Sequence, residues 1–118
     1  MSSIQINQLC FALWSDGRYY PAVVSEVYHD RVKVAFLDGS SGEASKEHIV
    51  DLQEAFKTMD FQGRWQHGLF WYKGTLSTHR PMVMNYDDGS VEQIELRQLR
   101  GTRTHCVDLR RQEFDRRN

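Results

Sequence analysis

The sequence predicts an all-β protein of two small barrels in tandem. Three observations carry that expectation: an internal repeat, short β-rich runs at a period of two, and Asp-Gly turns between them. WSDGRYY, from Trp14 to Tyr20, recurs as WQHGLFW, from Trp65 to Trp71, at an offset of 51. This aligns Gly17 with Gly68, Tyr19 with Phe70 and Tyr20 with Trp71. VKVAFLDGS, from Val32 to Ser40, recurs as MVMNYDDGS, from Met82 to Ser90, at an offset of 50, so one residue is lost between the two blocks. The order of Trp, Gly and aromatic, then an aromatic-x-Asp-Gly-Ser run, is too long to be a coincidence of composition.

The elements follow from this frame. Asp16-Gly17 is a turn, because Gly accepts positive φ and Asp bonds nearby backbone. Val23, Val24 and Val27 continue the strand that begins at Tyr20. Pro21 lies inside that strand and is expected at an edge or bulge, where its missing N–H faces no partner. After a turn at His29-Asp30, Val32, Val34 and Phe36 share one face of the next strand, and Met82, Met84 and Tyr86 repeat that face. Asp38-Gly39 and Asp88-Gly89 end the two runs. Between the repeats, Ile49, Val50, Leu52, Phe56, Met59 and Phe61 make the connection too apolar for a flexible linker, so the two modules are expected to be docked. The boundaries read as residues 5–54 for the first repeat, 55–101 for the second and 102–118 for a basic tail. Within the tail, THCVDLRRQEF suits a short helix packing through Val107, Leu109 and Phe114.

Composition narrows the function classes. Three Trp, five Tyr and six Phe in 118 residues, with 40% hydrophobic and 26% charged, provide for a folded core. The formal net charge of −1 gives no field that attracts nucleic acid non-specifically. Such binding would need a local patch, and Arg110, Arg111, Arg116 and Arg117 supply one for an accessory DNA or RNA contact. Cys10 and Cys106 are not a disulfide framework, and buried free thiols in a reduced compartment are expected. No apolar run approaches the roughly 20 residues that cross a bilayer, and MSSIQINQ lacks the basic and apolar regions of a signal peptide, so no membrane contact is expected. The five His residues lack metal spacing, and no nucleophile-base pair or phosphate loop stands out, so neither catalysis, metal nor cofactor is expected.

The aromatic residues point to binding. Trp14, Tyr20 and Phe36 close the first strand, begin the second and end the third, and Asp38 follows. Trp65, Trp71, Tyr86 and Asp88 are the matching set, a second candidate cage. If the strands fold back on one another, each set meets at one rim. Ring faces attract a cation within about 6 Å, contributing on the order of 0.5–2 kcal/mol per contact. Methylation keeps the charge and weakens hydration, so a methylated cation loses less on entering such a pocket. Tyr19, Phe70 and Tyr72 alternate to the opposite face and are expected in packing or the module interface.

These residues carry a resemblance. LCFALWSDGRYYPAVVSEV followed by VKVAFLDGSSGEASKEHIVDL is similar to a Tudor domain, a five-stranded SH3-like barrel of the Royal family. GRWQHGLFWYKGTL with MVMNYDDGSVEQIELRQL resembles a more divergent copy. The resemblance implies a non-enzymatic reader with a cage of Trp14, Tyr20 and Phe36 beside Asp38. Its partner would be a methyllysine histone tail in the nucleus, or alternatively a dimethylarginine protein. The family's frequent fourth aromatic is missing, since that region reads Gly39-Ser40-Ser41-Gly42. Val91 and Glu92 stand there in the second copy.

Overall fold

Asp38-Gly39-Ser40 and Asp88-Gly89-Ser90 close two hairpins in the same way. The carboxylate oxygen Oδ1 of each Asp accepts from the Ser backbone N–H at 2.9 Å and from its hydroxyl at 2.6 Å. Gly39 and Gly89 take φ of 98° and 95°, where a side chain would be strained. Phe36 N–H donates to the Ser40 carbonyl and Tyr86 N–H to the Ser90 carbonyl, each at 2.8 Å, completing two three-residue loops.

The computed structural model describes residues 4–103. Ten strands are present: β1 Leu9–Leu13, β2 Tyr19–Val27, β3 Arg31–Phe36, β4 Ser41–Ser45, β5 Ile49–Asp51, β6 Met59–Arg64, β7 Trp71–Ser77, β8 Val83–Tyr86, β9 Val91–Gln93 and β10 Leu99–Arg103. All pairings are antiparallel. They form one sheet in the order β4-β3-β2-β10-β6-β7-β8-β9, with β1 pairing both β2 and β5. Each half therefore has the same connectivity, β5-β1-β2-β3-β4 and β10-β6-β7-β8-β9. The chain is mostly β as expected, but the sheet is open among the described residues, with β4, β5 and β9 at its edges. Gly101 of β10 lies opposite Tyr19 of β2, which joins the halves.

Alternation sets the core. β3 buries Val32, Val34 and Phe36 and exposes the residues between them. One buried cluster belongs to the first half, with Cys10, Ala12, Ala22 and Val24 against that β3 face. The other spans both halves, bringing Phe11, Tyr19 and Val50 against Met59, Phe61, Met84 and Leu99. The connection contributes a helix that the sequence analysis did not foresee, α1 Leu52–Thr58, whose N-terminus is capped by Asp51 accepting from Gln53 N–H. Leu52 and Phe56 of this helix pack on the shared cluster, as the apolar linker implied.

Pro21 departs from expectation. It lies in an interior strand opposite Phe11, and the β2 bulge falls later, between Val24 and Glu26. Trp14 and Arg18 form a hydrogen-bonded pair, so by alternation the Phe11 and Pro21 pair is not hydrogen-bonded and the Pro nitrogen faces β3. There the ladder ends, with Leu37 N–H donating to the Pro21 carbonyl at 3.1 Å. The missing N–H falls on the last half-made rung.

Candidate functional site

The Ser15-Asp16-Gly17 loop positions the first site. Trp14 N–H donates to the Arg18 carbonyl, Gly17 N–H donates to the Trp14 carbonyl, and Gly17 takes a φ of 84°. The tight loop holds Trp14 at the rim, 42% exposed, with its ring 5.3 Å from that of Phe36 and nearly perpendicular at 86°. Trp14, Tyr20, Phe36 and Asp38 then line one cavity of about 300 Å³ together with Asp16 and Ser40. The four expected residues of the first cage are thus brought together. Asp16, which the sequence analysis read only as a turn former, is a second carboxylate at the same rim.

Hydrogen bonds fix this wall from both halves. Tyr20 O–H donates to Asp16 Oδ2 at 2.6 Å and accepts from Arg100 Nη1 of β10 at 3.2 Å. Burial and the Asp16 bond hold the phenol above its ordinary pKa, so it remains a donor. Asp16 is occupied, since its other oxygen accepts from Arg18 N–H at 2.9 Å. Asp38 uses only Oδ1 for Ser40, leaving Oδ2 with no partner outside its own turn among the described residues. The two Ser40 bonds hold its carboxyl below the ordinary value, so Asp38 is an anion facing the cavity.

The second set assembles differently. A cavity of about 310 Å³ is lined by Trp65, Tyr72, Tyr86, Asp88 and Ser90. Trp65 and Tyr72 stand 5.5 and 6.3 Å from Tyr86, both edge-on. Trp71 is not part of it. Its ring lies under the guanidinium of Arg100 at 4.4 Å, with Arg64 at 5.6 Å and the Tyr20 ring at 6.1 Å. Trp71 therefore holds the protein's own cations where the halves meet.

The pairing register explains the exchange. Tyr20 lies opposite Ala12 and Ala22 opposite Phe36; Tyr72 lies opposite Gly63 and Gly74 opposite Tyr86. The counterpart of Tyr20 is Tyr72, one residue beyond the sequence alignment, because the β6–β7 loop is longer. Gln66 and His67 take positive φ there. One residue of shift moves a side chain to the other face of a strand. The same longer loop leaves Phe70 69% and Leu69 87% exposed, so Phe70 is not a packing residue, and neither is Tyr72. Tyr19 alone of that trio is buried.

Glu92 is not a cage wall. It accepts from Tyr86 O–H at 2.7 Å and from Gln66 N–H at 2.7 Å, bracing the second site from behind. Cys10 is a free, fully buried thiol whose pKa burial pushes up to about 12, which makes it inert. Arg110, Arg111, Arg116 and Arg117, Cys106 and the expected tail helix lie outside the described residues. Among the described residues no group of His, Cys, Asp and Glu is arranged to hold a metal ion. No protein-family model and no curated protein matches this sequence.

Proposed function

We propose that the chain is a non-enzymatic reader of methylated basic side chains, built from two Tudor-like barrels, with its principal site at Trp14, Tyr20, Phe36 and Asp38. The observation that carries this reading is the single cavity in which three aromatic rings meet two carboxylates. Ring faces attract a cation while its methyl groups gain apolar contact, and the anion of Asp38 adds a fixed counter-charge. Asp38 Oδ2, which no other residue bonds among the described ones, is an acceptor that suits a cation keeping an N–H. Dimethyllysine is therefore favoured over trimethyllysine, and a histone tail in the nucleus is the partner the resemblance implies. Dimethylarginine, which also keeps N–H donors beside its methyl groups, is the second reading.

The second cavity has one carboxylate at its rim, because His67 stands in the sequence position of Asp16. It is the weaker candidate. A titration of un-, mono-, di- and trimethylated lysine peptides, with dimethylarginine peptides alongside, tests the proposal. Trp14→Ala is expected to lower methyl-dependent affinity by about tenfold or more, the loss of one to two cation–π contacts. Phe70→Ala is expected to leave the discrimination between methylated and unmodified peptide intact, since Phe70 is exposed and lines neither cavity. The proposal fails if no methylated peptide binds the wild type better than its unmodified control.

A further inference from the structure

A second opening adjoins the first cage. A groove of about 400 Å³ shares Trp14 and Phe36 with the cage, continues past Ser15 and His48, and is walled by the four consecutive residues Gly42 to Ser45 of β4. Side chains alternate along a strand, so a groove that follows a strand's edge meets consecutive residues rather than alternate ones. β4 is such an edge, paired with β3 alone. Because Phe36 and Ser40 form a hydrogen-bonded pair, alternation along the register makes Gly42 and Ala44 the residues bonded to β3. The N–H and C=O of Ser41, Glu43 and Ser45 consequently point outward, and Glu43 and Ser45 are among the residues that line the groove.

The second half provides an internal comparison. Gly42 lies opposite Val34 and Glu92 opposite Met84, two residues before Phe36 and Tyr86, so Glu92 occupies the position of Gly42. The Glu92 side chain reaches across to the N–H of Gln66, the residue after Trp65, at 2.7 Å, and meets Gln98 Nε2 at 3.5 Å. In the first half the matching residues are Ser15, with no hydrogen bond on its N–H among the described residues, and His48 in the groove wall. Gly42 does not have positive φ, and a Cβ there would make ordinary contact with Phe36 and Trp14 at 3.4 Å. Backbone conformation therefore does not require glycine at this position. The same groove is filled by a side chain in one half and empty of one in the other.

We infer that this groove takes the extended segment flanking the methylated residue of the ligand, which adds to β4 as a strand through the outward groups of Glu43 and Ser45. The inference rests on the proposed cage reading, because the cage and the groove share Trp14 and the bound peptide passes from one to the other. An extended backbone supplies the alternating donors and acceptors that a free strand edge lacks. Asp16 and Asp38 at the shared end favour a basic segment.

Two probes separate the groove from the cage: the free dimethylated amino acid, which fills only the cage, and a nine-residue peptide carrying it. Binding is followed by NMR at the Trp14 indole and at the Glu43 and Ser45 amides. The wild type is expected to bind the peptide about tenfold or more tightly than the free amino acid, from two or more added backbone hydrogen bonds. Ser45→Pro, which removes one outward N–H at a φ of −67° that proline accepts, is expected to reduce that gain and leave the free amino acid unaffected. Against the wild type, peptides N-methylated at one backbone position at a time are expected to lose affinity at alternate positions only. Equal affinity for peptide and free amino acid, an undiminished gain in Ser45→Pro, or N-methylation effects without a period of two would each overturn the groove while leaving the cage standing. Loss of all methyl-dependent binding by the wild type would overturn both.

Discussion

At the scale of single residues, the first cavity depends on how its polar groups are committed. Asp16 has one bond on each oxygen, from Tyr20 and Arg18, whereas Asp38 is held ionised by Ser40 through one oxygen and lines the cavity. Its folded pKa lies below the ordinary 3.8, with the Ser40 hydroxyl the largest cause. A depressed carboxyl contributes stability above its unfolded value, and that contribution disappears as pH falls through the folded value. Methyl-dependent binding is therefore expected to persist as pH is lowered to the ordinary carboxylate value, and to weaken only below it. Ser40→Ala removes the main cause, so its acid limb is expected at higher pH. Fluorescence titrations of Trp14 across an acid series check this, and coincident limbs for wild type and variant would count against the role given to Asp38.

At the scale of elements, the two halves solve one packing problem in two ways. Ala12 in β1 accompanies Phe36, while Gly63 in β6 accompanies Tyr86. A Cβ at Gly63 would stand 2.6 Å from the Tyr86 hydroxyl oxygen and 2.8 Å from Ile94 Cδ1. That hydroxyl is needed where it is, since it donates to Glu92, which in turn braces the β6–β7 loop. Gly63→Ala is expected to destabilise the protein by about 1–3 kcal/mol through overpacking. Adding Tyr86→Phe recreates the first-half pair and is expected to recover part of the loss. A double-mutant cycle in urea measures the coupling, and strict additivity would show that the hydroxyl is not the obstacle. The β6–β7 loop also decides the second cavity, because its extra residue puts Tyr72 in place of Trp71.

At the scale of the whole molecule, neither half has a core of its own that accounts for all its buried residues. Phe11 of β1 packs edge-on against Phe61 of β6 at 5.4 Å and Phe56 of α1 at 6.4 Å. Arg100 of β10 then ties Gln62 to Tyr20, at 2.7 and 3.2 Å, and stacks on Trp71. The first cavity is therefore supported by the second half. A single cooperative unfolding transition is expected, with equal calorimetric and van't Hoff enthalpies. A fragment of residues 1–54 would expose Phe11, Tyr19 and Val50 and is expected not to fold. Two resolved transitions, or a folded fragment, would show that the halves are independent.

The sequence by itself determined the turns, the buried faces and the residues that meet in the first cavity. Asp-Gly-Ser encodes its loop locally through the Asp side chain and the positive φ of Gly. Period-two alternation assigned Val32, Val34 and Phe36 inward. The tight Ser15-Asp16-Gly17 loop kept Trp14 and Tyr20 in the register that spacing implied. Only the tertiary structure decided the rest. Whether Trp71 or Tyr72 enters the second cavity depends on strand pairing, because one residue in a loop reverses every side chain after it. The roles of Arg100 and Glu92 depend on contacts between segments distant in the chain. The open edge of β4 follows from which strand has no outer neighbour, a property of the assembled sheet that no local pattern of residues encodes.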